Sequence, residues 1–395
     1  MSIDWAPNST WWDIETILAQ DTRNYKYKSI YLLNDSQPIF RTYGDIYATS
    51  DGRFYPQGGE HTWNTNEDKP CMINGEVAYS TRYAIVYSDL PRQSVPKVDG
   101  LDTNSIIGCI VDGVLGLGAF GGQCALEYVK IKPYLTSIVN SAFINCYNLQ
   151  SVDLPAGLER IEPSAFAGCR NLRRIELPST LNFLGAQAFY DCASLESISL
   201  PEGIKDIGRE TFSLCSHLVS VSMPQVETIG DLAFNGCRSL RTAFLPNVRT
   251  IGSSAFSDCH SLCSLVIGNN PVVVESNNGY TCDSLRSLVL PENVMLKQYA
   301  FSQMTQLQHV TFKGNCSMTG IGFNGSMNLS KITLPQDFDS SANFSHATLA
   351  PEMMVEMFDK LKDNSPKTLT LGATNLLKLT DEQKAIATDK NWILA

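Results

Sequence analysis

From about residue 115 to residue 335 the chain alternates short apolar runs with polar positions on a fixed period. Ala142-Phe143, Ala165-Phe166, Ala188-Phe189, Thr211-Phe212, Ala233-Phe234, Ala255-Phe256 and Ala300-Phe301 recur in steps of 22 or 23, with one repeat lacking the pair. Three residues beyond the Phe stand Cys146, Cys169, Cys192, Cys215, Cys237 and Cys259, and Cys282 keeps the register where the Phe is lost. Three further on comes a leucine, from Leu149 to Leu329, and then an alternating run such as Val152-Asp153-Leu154 or Ile175-Glu176-Leu177. Most runs close on a proline, as at Pro155, Pro178, Pro201 and Pro224. Alternation stopped by proline predicts a strand of about three to five residues. With one strand per repeat the chain returns each time to the same side, so neighbouring strands stack in parallel, about 4.8 Å apart. The Ile–x4–Phe segments, such as Ile161 to Phe166 and Ile251 to Phe256, form the opposite wall. One repeat buries little alone; a stack buries a continuous core.

The two ends read differently. Residues 1–95 hold four of the five tryptophans, and strand-like runs follow at Lys28–Leu33, Ile46–Thr49 and Tyr83–Tyr87 after a capped helix signal at Asn8-Ser9-Thr10. A small, mostly β domain with an aromatic core is expected, although aromatics this dense also suit an interface. Residues 96–114 read as a linker leading into the solenoid, 115–335 as the repeats and 336–395 as an α/β cap. In the cap, Ala350-Pro351-Glu352 starts an amphipathic helix through Leu361, with Met353, Val355, Met357, Phe358 and Leu361 available for burial. Thr368 to Leu371 is one more strand, and Thr380-Asp381-Glu382-Gln383 opens a capped final helix.

Composition narrows the function classes. A hydrophobic fraction of 43% rules out wholesale disorder. The net charge of −10 is spread over all three regions, so neither nucleic acid nor an anionic lipid surface is an expected partner. Ile106 to Phe120, the most apolar stretch, is too short and too rich in glycine to insert in a membrane. The first residues, Met1-Ser2-Ile3-Asp4-Trp5, carry no basic n-region and no apolar h-region, so no secretory signal is expected.

The apparent chemical signals weaken on inspection. Twelve cysteines invite a disulfide or zinc reading, but seven share one column of the repeat and no C-x-x-C occurs, so inert buried thiols are expected. Gly116-Leu117-Gly118-Ala119-Phe120-Gly121 satisfies G-x-G-x-x-G, yet the chain continues into the strand Val129-Lys130-Ile131 instead of a helix. His217 and His260 each come directly after a column cysteine, but a thiol stacked among thiols lies in the core, where it is a poor nucleophile. No catalytic residue, cofactor site or metal site is assigned.

The pattern L-x-x-I-x-x-x-A-F-x-x-C-x-x-L-x-x-I-x-L-P resembles the BspA-type leucine-rich repeat of bacterial surface and virion proteins. The resemblance implies a leucine-rich repeat solenoid, one short parallel β-strand per 22–23 residues. Leu369 to Leu376 with Asn391 to Leu394 resembles the family's terminal cap. Ser29 to Tyr87, with Ala48-Thr49-Ser50-Asp51-Gly52, His61-Thr62-Trp63 and Asp68-Lys69-Pro70-Cys71, resembles an N-terminal module of phage and prophage tail proteins of gut bacteria. Together these imply a non-enzymatic binding protein: a phage tail-fibre or baseplate component for host attachment, made in the bacterial cytoplasm and located in the virion tail. The alternative is a secreted or cell-surface BspA-like adhesin that binds a host glycoprotein. The expected partners are a protein or glycan receptor on a cell surface, and other structural proteins through the N-terminal domain. Homo-oligomerisation stays open.

The two outward positions of each strand line one sheet face along the stack. Read down the repeats they include Ser197/Ser199, Ser220/Ser222, Thr242/Phe244, Ser264/Val266 and Ser287/Val289, with charge at both ends of the series. Ser199, Ser220, Ser222, Thr242, Phe244, Val266 and Val289 form the candidate binding surface, because adjacent exposed apolar residues often mark contacts. Serine and β-branched residues also suit a strand for its own sake, and the N-terminal domain or a second chain are alternative covers for this face.

Overall fold

The computed structural model describes residues 120–395, apart from 123, 125, 132 and 134, and the backbone of nine strands between Tyr27 and Val111. The chain divides into two compact units, Met1–Thr180 and Leu181–Ala395. The expected N-terminal helix and the G-x-G-x-x-G run up to Ala119 lie outside the described residues, as do the side chains of the aromatic N-terminal region.

In Met1–Thr180, the strand Tyr128–Ile131 pairs in parallel with Ser151–Asp153 on one side and with Ile106–Val111 on the other. Ile106–Val111 in turn pairs antiparallel with Tyr27–Leu33, which pairs antiparallel with Tyr83–Ser88. One sheet therefore joins the repeats to the N-terminal strands through a strand inside the segment read as a linker. The run Arg174-Ile175-Glu176 keeps the exposed–buried–exposed alternation but forms no strand. Alternation places side chains on faces, whereas a strand also needs a paired neighbour.

Leu181–Ala395 holds seven parallel strands in one sheet, in order Ser197–Ser199, Ser220–Ser222, Thr242–Leu245, Ser264–Ile267, Ser287–Leu290, His309–Phe312 and Lys331–Thr333. A second parallel sheet stacks the shorter strands from Asp206–Ile207 to Cys316–Met318. The unit is a parallel β solenoid. One coil shows the construction: Leu218, Val221, Met223, Val226, Ile229, Ala233, Phe234 and Cys237 are all buried. Leu218 comes from the approach to the first sheet and Val221 from its strand, Val226 and Ile229 from the second sheet and its approach, and Phe234 with Cys237 from the turn that closes the coil. The Phe rings stack from coil to coil, with Phe189, Phe212, Phe234 and Phe256 at centroid separations of 5.7, 5.3 and 5.4 Å and planes within 10° of parallel. Phe120, Phe143 and Phe166 do the same in the other unit.

The turn wall has its own ladder. Residues two before and two after the Phe take positive φ, as at Glu210 (57°) and Leu214 (63°), around Phe212. Every second N–H of this segment points along the stack, and Glu210, Phe212 and Leu214 donate to the carbonyls of Asp231, Ala233 and Asn235 in the next coil, at 2.7–2.9 Å. Where the ladder ends, the Gly325 N–H donates to Nδ1 of His346 at 3.1 Å.

The cap follows the sequence reading in outline, but its first helix stops short of Leu361 and a further short helix forms at Ala373–Leu376. Its first helix runs over Pro351–Asp359 and buries Met353, Met354, Met357 and Phe358. Val355 is only half-buried and Met354 takes its place in the core, because positions 353, 354, 357 and 358 share one helical face. Thr380 and Gln383 form the reciprocal capping box that opens the helix Asp381–Thr388. Ala342–Asn343, Thr368–Thr370 and Ile393–Leu394 extend the parallel stacking by three short strands. No described helix is long and apolar enough to cross a membrane.

Candidate functional site

The cysteine column is core. Cys146, Cys169, Cys192, Cys215, Cys237, Cys259 and Cys282 are free thiols, each 0–1% exposed. The column thiols donate S–H to the Phe carbonyl of the coil before, as Cys146 does to Phe120, Cys169 to Phe143, Cys215 to Phe189, Cys237 to Phe212, Cys259 to Phe234 and Cys282 to Phe256, at 3.0–3.2 Å. Ser326 occupies the same column and donates to the Phe301 carbonyl at 3.3 Å. Neither histidine pairs with a column thiol: His217 Nδ1 lies 2.8 Å from the Ala193 carbonyl, and His260 Nδ1 lies 3.0 Å from Asp283 Oδ2. Burial pushes the Cys282 thiol up to about 12 and raises Cys169, Cys237 and Cys259 well above the ordinary range.

These thiols should therefore resist a thiol reagent such as DTNB in the native protein while the exposed Cys124 and Cys263 react at once. They should titrate fully on unfolding. The pH dependence comes from the same burial. An unfolded thiol ionises near about 8.5, whereas folded Cys282 holds its proton to about 12. Above about pH 8.5 the unfolded chain thus binds fewer protons, and stability, complete below that pH, falls as pH rises toward 12. A urea midpoint that stays constant from pH 8 to 10 in the wild type would refute this.

The open sheet face is where side chains are presented. Strand alternation buries Ile198, Val221, Ala243, Leu265 and Leu288 and turns their neighbours outward. Ser199, Ser220, Ser222 and Thr242 are exposed, as are Phe244 at 60%, Val266 at 46% and Val289 at 43%. Register brings them together: Ser199 pairs with Ser222, Ser220 with Thr242, Phe244 with Val266, and Val266 with Val289. The apolar trio is thus continuous over three adjacent strands, about 4.8 Å apart. Beside it run Thr242, Ser264 and Ser287, a row of hydroxyls.

A third row lies outside the strand positions that the alternation picks out. The residue before each strand also repeats, as Val219, Arg241, Cys263 and Arg286, and all four are exposed. They are held in step by the backbone: the Arg241 N–H donates to the Val219 carbonyl at 3.2 Å and the Cys263 N–H to the Arg241 carbonyl at 3.0 Å. Tabulating every repeat position, and not the strand positions alone, would have found this row. Among the described residues no group of His, Cys, Asp and Glu is arranged to hold a metal ion. What the face offers is shape, hydroxyls, apolar surface and positive charge, which is recognition chemistry.

The family comparison agrees with this construction. The family model described as the BspA type leucine rich repeat region matches residues 114–241 and 227–348, together more than half of the chain. No curated protein matches. Among solved structures, a leucine rich repeat protein of T. pallidum is 32% identical over 40% of this chain and 78% of its own, with a TM-score of 0.37. A leucine rich cell surface protein of Faecalibacterium prausnitzii is 19% identical over 61% of this chain and 85% of its own, with a TM-score of 0.27. A leucine-rich repeat protein of Eubacterium ventriosum is 18% identical over 63% and 85%, with a TM-score of 0.39.

Proposed function

The chain belongs to the BspA-type leucine-rich repeat family, and from that premise we propose that it is a non-enzymatic binding protein of a bacterial cell surface, an adhesin that engages a host glycoprotein through its open sheet face. The observation that carries this reading is the in-register exposure of Phe244, Val266 and Val289 on adjacent strands, flanked by hydroxyl side chains. Three large apolar side chains in contact register on one open face exceed the scattered exposure of an ordinary surface. The family match supports the cell-surface setting over the virion tail. The tail-fibre reading rests on residues 29–87, whose side chains lie outside the described residues.

The test is a double substitution on the face. Phe244→Asp with Ser222→Arg should shift stability by no more than about 0.5 kcal/mol per site, because both side chains are exposed. It should abolish attachment of the purified chain to host cells. A folded double mutant that attaches as well as wild type would remove binding from this face and transfer it to another part of the chain.

A further inference from the structure

Leu181–Ala395 contains five arginines, and they fall into two groups. Arg209 and Arg249, beside the second sheet, are paired with Glu210 at 2.8 Å and Glu227 at 3.7 Å. Arg238, Arg241 and Arg286 lie on the approaches to the open sheet, are exposed, and form no ion pair with a described residue. The face beside them is also stripped of acid. Across the strand and pre-strand positions 219–222, 241–244, 263–266, 286–289 and 308–311 there is no Asp or Glu, in a chain with 40 of them. Arg241 and Arg286, without an ion-pair partner among the described residues, thus stand next to the exposed apolar row.

We propose that the face takes a protein segment that carries acidic side chains next to apolar ones, with its carboxylates on Arg241 and Arg286 and its apolar side chains on Phe244, Val266 and Val289. This rests on the open face being the binding surface and names the chemistry of what binds there. The geometry is three parallel rows: arginine, hydroxyl, apolar. Arg241 and Arg286 belong to coils two steps apart, which sets their backbones about 9.6 Å apart along the stack. That spacing lies between one and two same-face intervals of an extended peptide, each about 6.8 Å, and a guanidinium on a flexible stem spans the difference while offering its fork to a carboxylate. Val266 and Val289 favour peptide over sugar, since branched aliphatic side chains offer no flat face on which a sugar ring stacks. Like-charged basic segments are turned away by the same arginines.

The test selects binders from a random-sequence peptide library on the 395-residue chain. Selected peptides should combine Asp or Glu with Phe, Leu, Ile or Val, and their affinity should fall as salt is raised. Bound peptide should slow the reaction of DTNB with Cys263, which sits between the two arginines in the same row. Arg241→Glu with Arg286→Glu should weaken the selected peptides roughly tenfold or more. Replacing the peptide's acids with lysine should recover binding to that variant and lose it to the wild type. Arg241→Gln with Arg286→Gln, which removes charge without reversing it, should weaken binding less. Selection of peptides without acidic bias, failure to select any, or preferential binding of sialylated or sulfated glycans overturns the proposal. If Phe244→Asp with Ser222→Arg abolishes cell attachment while the arginine reversal does not, the face remains the binding surface and only the acidic partner is lost. If neither variant affects attachment, both readings fall.

Discussion

Phe212→Ala is expected to lower the free energy of unfolding by about 3–5 kcal/mol. Phe212 is fully buried and stacked on both sides, against Phe189 at 5.7 Å and Phe234 at 5.3 Å. Removing the ring costs its transfer free energy and leaves a cavity between two rings that the backbone holds apart. Collapse is restricted because the Phe212 N–H donates to the Ala233 carbonyl at 2.8 Å and the Phe212 carbonyl accepts from Cys237, so each coil fixes the next. In a solenoid the damage spreads through neighbouring interfaces, since stability is a sum of coil and nearest-neighbour contributions. Phe212→Leu, which keeps most of the apolar volume, should cost clearly less. Urea unfolding followed by circular dichroism measures both, and a loss below about 1 kcal/mol for the alanine variant would contradict a core carried by the ring stack.

The second large effect is expected at Asn375, a residue to which no repeat pattern points. It is 2% exposed and uses its whole amide. Oδ1 accepts from the Leu349 N–H at 3.2 Å and from Lys378 Nζ at 3.0 Å, while Nδ2 donates to the Ala347 and Leu371 carbonyls at 2.8 and 2.9 Å. Asn375→Ala strands these groups inside the cap, and buried polar groups left unpaired cost about 1–3 kcal/mol each. Partial relief by water leaves an expected loss of about 2–4 kcal/mol. Hydrogen exchange should show the loss first in residues 342–395, with the amides of 197–311 protected nearly as in wild type. Uniform loss of protection along the chain would instead make the cap inseparable from the stack.

The repeat shows how much of the fold is legible in the residues alone. Alternation and period lead directly to the parallel sheet, the buried Phe and Cys columns and the outward set from Ser199 to Val289, because in a stacked fold the position within the repeat is the position in space. Arg241 and Arg286 are equally periodic, but they precede the strands, where alternation gives no reason to look. Asn375 is not legible at all. A buried asparagine is recognised by the partners around it, and Leu349 and Ala347 lie far from it in sequence.

The coil that lacks its Phe draws the line between the two kinds of information. From sequence, position 279 is only a glycine where the ring should be, and position 304 only a methionine where the thiol should be. In the structure these are one event. A Cβ at Gly279 would come within 2.4 Å of the Met304 Cγ and Sδ, so the side chain from the next coil fills the space that the missing ring leaves. Met304 is 1% exposed and adapts its flexible thioether to that gap. The sequence by itself determined which residues occupy equivalent layers, because the period is written in a single chain. Only the tertiary structure decided which layers compensate one another, which carbonyl each thiol satisfies and which arginines are left without an ion-pair partner among the described residues. Those are contacts between residues far apart along the chain, and their energies depend on distances that no periodicity contains.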